Sequence, residues 1–367
     1  MTTSRIVNLD LIRGIAVLGI LAMNSLAFGL PAAGYANLAA AGMAAPWDWA
    51  LGILGEVLID QKFMALFSML FGAGVIMVAD RAQAKGISPV RHTLWRNAIL
   101  LVIGLAHSLI WDGDILVVYA LAAAIVLAAR GLSVRALLVV GSLVFACSPV
   151  AAVVAQTAVG PGGSGLGEYW LADGVMSDGV GLFLLSDALL RAVGAMLIGA
   201  ALFKSGYLRG VATAAQYRRM AGWGLGIGLP LAGLGVVIQI QSDFAPSFAL
   251  ISTIPNTIGA IPVALGYIAL ISLWNQGGPS ALKLRLQAVG RMALTNYLSQ
   301  TILGVTILGM IFADHTFARA ELAVFVVGVW ALQLLWSQAW LARFRFGPVE
   351  WLWRSATYRR WQPMGRL

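Results

Sequence analysis

The chain has 367 residues, of which 60% are hydrophobic and only 11% charged, and its mean hydropathy is +0.86. Soluble domains carry roughly 25% charged and 45–50% apolar residues, so this composition excludes a water-soluble enzyme, a disordered chain and a disulfide scaffold. The net charge of +9 does not point to nucleic acid, because the basic residues sit in short clusters between apolar stretches, as in cytoplasmic loops of membrane proteins. The remaining class is all-α: a polytopic transmembrane helical bundle.

A membrane-spanning helix needs about 20 mostly apolar residues. On that measure about ten spans are expected, at 11–30, 52–79, 96–111, 114–129, 135–156, 181–203, 220–241, 248–273, 288–312 and 319–341. The first is long enough to span and follows a short polar start, so no cleavable signal is expected. The second is long and carries Glu56, Asp60 and Lys62, which predicts a tilt or a break. The third and fourth are short and joined by a tight polar turn, Trp111-Asp112-Gly113-Asp114. The fifth contains Cys147, the single cysteine, read as a small packing residue. A glycine-rich outer loop over 157–180 follows, with Tyr169 and Trp170 expected at the interface. In the seventh span Gly222, Gly224, Gly226 and Gly228 are expected to allow close helix approach.

With the N-terminus inside, the inner segments collect most of the 24 basic residues, from Arg5 through Arg81, Arg130, Arg209 and Lys283 to Arg366. The outer loops hold Asp48, Asp112, Asp114, Glu168, Asp173, Asp178, Asp243 and Asp314, and only Arg319 lies at an outer edge. The positive-inside rule then places both termini in the cytoplasm. Residues 1–367 read as one integral membrane domain, with five-helix halves at 1–156 and 181–341. A tail at 342–367 sets Trp351, Trp353 and Trp361 among arginines, as at an inner interface beside anionic lipid.

Ionisable groups within spans are costly and mark candidate sites. Asp10 and Arg13 share one helix face at i, i+3, either as an interfacial pair or as an anchor for a phosphate-bearing ligand. Asn24 is helix–helix glue or orients a substrate. Glu56 and Asp60 share a face at i, i+4, and with Lys62 they suit a charge pair or a proton or ion relay. His107 is the only histidine expected within a span. Asp112 or Asp114 could fold back to it and raise its basicity, giving a couple able to deprotonate a hydroxyl or amine. His92 and His315 fall in loops, and Asp187 and Arg191 form a structural i, i+4 pair. No metal-ligand set, GxSxG, HExxH or Walker sequence is present.

Several stretches resemble the bacterial YeiB family of multi-pass membrane proteins. They are Leu9-Asp10-Leu11-Ile12-Arg13-Gly14 with Asn24, Lys62-Phe63 leading to Leu66-Phe67-Ser68-Met69-Leu70-Phe71-Gly72, and His107 with Trp111-Asp112-Gly113-Asp114. In the second half they are Gly290-Arg291-Met292-Ala293-Leu294-Thr295-Asn296-Tyr297-Leu298 with Gln300, and Gly347-Pro348-Val349-Glu350-Trp351. The opening motif is also similar to that of a wider transmembrane acyltransferase superfamily. That resemblance implies a cytoplasmic acyl donor such as acyl-CoA, an acceptor near the outer face, and a location in the bacterial inner membrane. Asn24 matches an asparagine of the superfamily's lysosomal member, whereas no histidine lies between Asn24 and Lys62 to match that member's catalytic one.

The resulting expectation is acyl transfer. Arg13 and Arg291 would hold donor phosphates, while Lys62, Asn24, Asn296, Tyr297 and Gln300 would line a polar cavity. His107, polarised by Asp112 or Asp114, would be the general base, with Asn24 or Lys62 meeting the oxyanion. No permanently bound cofactor is expected; the partners are membrane lipids, the acyl donor and the acceptor, and a homodimer is open. The rivals are a transporter or flippase of a lipid or small metabolite, for which the sequence offers no repeat between halves, and a non-catalytic lipid-binding protein.

Overall fold

The computed structural model of the chain describes residues 6–171 and 173–365, so Arg5 and Arg366 of the charge count lie outside the described residues. The helices, in order, are α1 Val7–Gly29, α2 Ala33–Ala36, α3 Pro46–Leu58, α4 Lys62–Ala84, α5 Pro89–Ser108, α6 Leu116–Ala128 and α7 Val134–Thr157. Then come α8 Asp178–Lys204, α9 Ala214–Gln241, α10 Ile254–Gln276, α11 Ala281–Arg291, α12 Ala293–Gly304, α13 Arg319–Arg343 and α14 Pro348–Tyr358. Their starts are written in the sequence. Ser88, Ser133, Ser177 and Ser280 each accept from the backbone N–H three residues on, opening α5, α7, α8 and α11.

The chain is a polytopic α-helical membrane protein. Every expected span is helical, and eight stretches among the described residues are long and apolar enough to cross a bilayer. The other two expected spans, α5 and α6, fall short of that standard. α5 carries Arg91, His92, Arg96 and Asn97, and α6 has 13 residues, about 20 Å at 1.5 Å per residue. The two pack together as a hairpin. The second span is broken as its charges suggested. α3 ends at Leu58, Gln61 adopts φ 62°, and α4 begins at Lys62.

α1 runs through the middle of the bundle, with Leu11, Ile12, Ala16, Val17 and Leu21 fully buried. It packs against α4 and α10 to α13, so the two sequence halves interleave. Glycines set its closest crossings. A Cβ on Gly290 of α11 would sit 1.9 Å from the Asp10 carbonyl, and one on Gly14 would sit 2.0 Å from that of Leu286. α4 and α8 meet likewise through Gly72 and Gly199. In α9 only two of the four expected glycines serve contact: Gly224 and Gly228 face α10, whereas Gly222 and Gly226 have nothing within 4 Å of an added Cβ.

Two further expectations are corrected. Trp170 is not an interfacial residue; it is buried with Ala152, Phe183 and Leu250, and its indole donates to the Phe244 carbonyl at 2.9 Å. Cys147 is exposed on α7 rather than packed. The tail is an integral clamp. The Arg96 guanidinium lies 3.6 Å from the Trp353 ring centroid, and the Trp353 indole donates to the Arg96 carbonyl at 2.9 Å. Glu350 accepts from the Leu294 and Thr295 N–H groups at 2.7 and 3.0 Å, capping α12.

Gly290→Ala forces a shift of α1 against α11 and is expected to cost about 1–3 kcal/mol, the usual penalty of overpacking. Gly226→Ala is expected to be neutral or slightly stabilising. Thermal unfolding of both variants in detergent checks the contrast.

Candidate functional site

The residues singled out in the sequence fall into separate groups. Beside the tail, Arg13 pairs with Asp10 at 3.5 Å, and Arg291 donates to the Arg345 carbonyl at 3.4 Å. Asn296 and Gln300 are buried interhelical ties. Asn296 donates to the Val289 carbonyl at 3.1 Å and to Ser337 Oγ at 3.0 Å, and accepts from the Trp336 indole at 2.7 Å. Gln300 donates to the Val17 carbonyl and to Gln333 Oε1, and Gln333 donates back to the Asn296 carbonyl. These amides lock α1, α12 and α13 together.

His107 forms the expected couple, and the partner is Asp114 rather than Asp112. His107 Nδ1 lies 2.8 Å from Asp114 Oδ1, which also accepts from the Tyr297 hydroxyl at 3.1 Å. Asp114 Oδ2 accepts from the Leu116 and Val117 N–H groups, so the carboxylate also caps α6. Asp112, two residues earlier, is exposed. His107 Nε2 is buried and has no hydrogen-bond partner among the described residues. Neither hollow described below is lined by His107, Asp114 or Tyr297, nor by Asn24, which is half-buried on α1.

A polar cavity of about 180 Å³ opens at the other end of α1 from the tail. Its wall at Met23 is about 20 Å from Asp10, at 1.5 Å per residue along the helix. Glu56, Asp60 and Gln61 line it at the break between α3 and α4, with Asn256 from α10 and Asp187 and Arg191 from α8. Lys62 is fully buried behind them and donates to the Glu56 carbonyl and to Asn256 Oδ1. The amide nitrogen of Asn256 donates to Glu56 Oε2 at 3.3 Å and to Asp60 Oδ2 at 3.2 Å. Thr257 donates to Gln61 Oε1 at 2.9 Å, holding the left-handed residue in place. Tyr35, on the short helix α2, donates to Asp60 Oδ1 at 3.4 Å. Burial first, and then the charges of Asp60 and Glu56, push its phenol well above the ordinary 10.0.

Of the residues expected to share one chamber, none lines the cavity; Lys62 alone lies directly behind its wall, bonded to Asn256. Neither hollow is lined by Asn24, Lys62, His107 or Arg291. The pair Asp187–Arg191 forms as read, and it also lines the cavity. Asn256 was missed, although an amide in an apolar span is the same signal that drew attention to Asn24. No group of three or more His, Cys, Asp or Glu side chains among the described residues is placed to hold a metal ion.

Residues 202–360 match a family described as a protein of unknown function (DUF418). The protein YeiB of Escherichia coli is 37% identical, the alignment covering 97% of each chain. YxaH of Bacillus subtilis is 31% identical over 100% of this chain and 97% of its own. The chain belongs to the YeiB family. A 39.9 kDa protein from the amylase 3′ region of Bacillus acidopullulyticus is 26% identical over 98% of this chain. The DUF418 match starts within α8 and contains Asn256 and the amide lock. Glu56, Asp60, Lys62 and His107 precede it, so both polar centres are assembled from inside and outside the matched segment.

Lys62→Met removes the cation that lies within electrostatic reach of Glu56 and Asp60 and leaves Asn256 Oδ1 and the Glu56 carbonyl without their donor. A loss of about 3–5 kcal/mol is expected, typical of breaking a buried charge network from one side. Asp60→Asn in the same chain should recover part of it. Unfolding midpoints of the two single variants and the double variant measure that coupling.

Proposed function

We propose that this YeiB-family protein is a carrier of the bacterial plasma membrane that takes the polar group of its substrate into the Glu56–Asp60–Lys62–Asn256 cavity. One observation carries the reading: at an interrupted helix two carboxyl groups face a hollow inside the membrane domain, joined by the Asn256 amide from α10, with the Lys62 ammonium buried directly behind them. Ionisable groups within a bilayer persist where they handle ions, protons or substrates. Broken helices are where many carriers place them, because the interruption frees backbone groups to bind. The positive-inside rule sets the basic tail and both termini in the cytoplasm and the cavity towards the outer face.

Acyl transfer is the second reading, and the His107–Asp114 couple favours it. With Nδ1 held by a carboxylate, the unpartnered Nε2 is in the tautomer and orientation of a general base. It would take the proton of an acceptor hydroxyl or amine as the acceptor attacks an acyl thioester, and return that proton to the thiolate released when the C–S bond breaks. Neither hollow is lined by His107 or Arg291, and Arg291 is bonded into the tail at Arg345, which counts against a single reaction chamber.

Proteoliposomes loaded with a mixed pool of amines, amino acids, sugars and lipid analogues separate the two. Exchange of a pool compound by the native protein is expected, with Glu56→Gln or Asp60→Asn lowering it about tenfold, the effect of losing a hydrogen bond to a charged group. His107→Ala should leave exchange in place. Absence of exchange together with His107-dependent consumption of acyl-CoA would replace the carrier reading with the transferase one.

A further inference from the structure

The ionic cavity has an apolar neighbour. A cleft of about 170 Å³ lies between α1, α3 and α13, and it shares Met23, Glu56 and Asp60 with the cavity. The two carboxylate residues therefore stand in the wall between a polar hollow and an apolar one. Leu51 on α3 and Val327 on α13 form part of the cleft lining and are 37% and 59% exposed on the bundle surface, where the surrounding medium is hydrocarbon. Gly55 is the bare part of the cleft: an added Cβ there meets nothing within 4 Å. Ordinary helix packing does not require this glycine, in contrast to Gly14 or Gly290.

A buried cation borders the same cleft. Arg319, at the start of α13, is only 5% exposed. One of its terminal nitrogens donates to the Gly34 carbonyl at 2.7 Å, while Nε has no partner among the described residues. Glu56 and Asp48 lie within electrostatic reach of it. An N–H of a buried guanidinium left unbonded is costly, and phosphate or ester oxygens are the acceptors it suits. The polar cavity itself is lined by the carboxyl groups of Glu56, Asp60 and Asp187; Arg191 is paired with Asp187, and Lys62 lies buried behind the wall, so two carboxyl groups stand against one cation. Its balance of groups favours a ligand that brings positive charge and hydrogen-bond donors.

We propose that the ligand is an amine-headed phospholipid that enters sideways between α3 and α13. Its ammonium sits among Glu56, Asp60 and Asn256, its phosphate faces Arg319, and an acyl chain lies in the cleft over Gly55. The proposal rests on the carrier reading and makes its substrate a lipid instead of a water-soluble metabolite. No bond is made or broken; the lipid exchanges the bilayer for the site. Small residues on α3 then have a role beyond packing, because the chain needs the space a larger side chain would fill.

The test uses the full-length protein in phosphatidylcholine nanodiscs, with a phosphatidylethanolamine probe carrying a photoactivatable group in its chain. Crosslinks should map to the α3 and α13 peptides that contain Leu51, Gly55 and Val327. Unlabelled phosphatidylethanolamine should compete them away. A phosphatidylcholine probe with the same chain should label these peptides about tenfold less, equivalent to about 1.4 kcal/mol of head-group preference. Gly55→Ala should retain labelling and Gly55→Leu should lose it, with Arg319→Lys intermediate. Should Gly55→Leu fail to fold, as judged by its unfolding midpoint, the head-group comparison on the native protein decides. Labelling spread evenly over lipid-facing helices, or indifferent to the head group, overturns the proposal. If labelling is unspecific while native proteoliposomes exchange a water-soluble metabolite, the amphiphile falls and the carrier reading stands. If neither occurs, both fall.

Discussion

The bundle is organised around one constraint: polar groups taken out of water must find partners inside the protein. Interrupting a helix within the membrane domain frees backbone carbonyls that the next turn would otherwise bond. Lys62 takes up one of them, the Glu56 carbonyl, and Asn256 reaches across from α10 to the carboxyl groups of both Glu56 and Asp60. The break and the charges thus support each other. A lysine alone in that position would be an unpaired ion, and a break without the lysine would leave unsatisfied carbonyls. Gln61, in a left-handed conformation disfavoured for a side chain, is tolerated because Thr257 holds its amide.

The rest of the fold keeps this network in register. α1 is packed so closely on α11 that no side chain fits at Gly14 or Gly290, which fixes its position relative to the second half of the chain. The amide lock of Asn296, Gln300 and Gln333 ties α12 and α13 to α1 one stage further along. The tail secures the start of α12 through Glu350 and the start of α5 through Trp353. α13 is therefore held along its length by the amides and at its start by the Asp48 carboxylate, which accepts from the Ala320 N–H. That second bond also fastens α3, whose last turn carries Glu56.

Much of this was legible in the sequence, for physical reasons. Span positions follow from the length of apolar stretches, and the break follows from three charges in a stretch too long for one crossing. The His107–Asp114 couple follows from a short turn, since seven residues cannot separate the two far. Which of Asp112 and Asp114 turns inward depends on which can also cap α6, and the cap belongs to the residue two before Leu116. Residues brought together from distant helices were not legible. Asn296 and Gln300 look the same in a sequence whether they line a cavity or lock helices, because either role needs an amide in an apolar span. Asn256 and Arg319 became visible only when α10 and α13 were placed beside α3. One sequence carries no pairing information of that kind.

The two polar centres differ in a way that constrains what each can do. The His107 centre is tightly bonded: both oxygens of its carboxylate are held by neighbours, and neither the polar cavity nor the apolar cleft is lined by His107. For it to act on a substrate, α5, α6 and α12 would have to part, and Asp114 would lose the bonds that cap α6. The Glu56–Asp60 centre borders two hollows, with Glu56 on the final turn of the short helix α3 and Asp60 in the break that joins it to α4. Under the proposed carrier reading no helix cap need break there: a ligand would exchange partners with Asn256 and Tyr35, whose bonds to the acids are the longer ones of the site at 3.2–3.4 Å. The His107 couple, by contrast, fixes the α5–α6 turn against Tyr297.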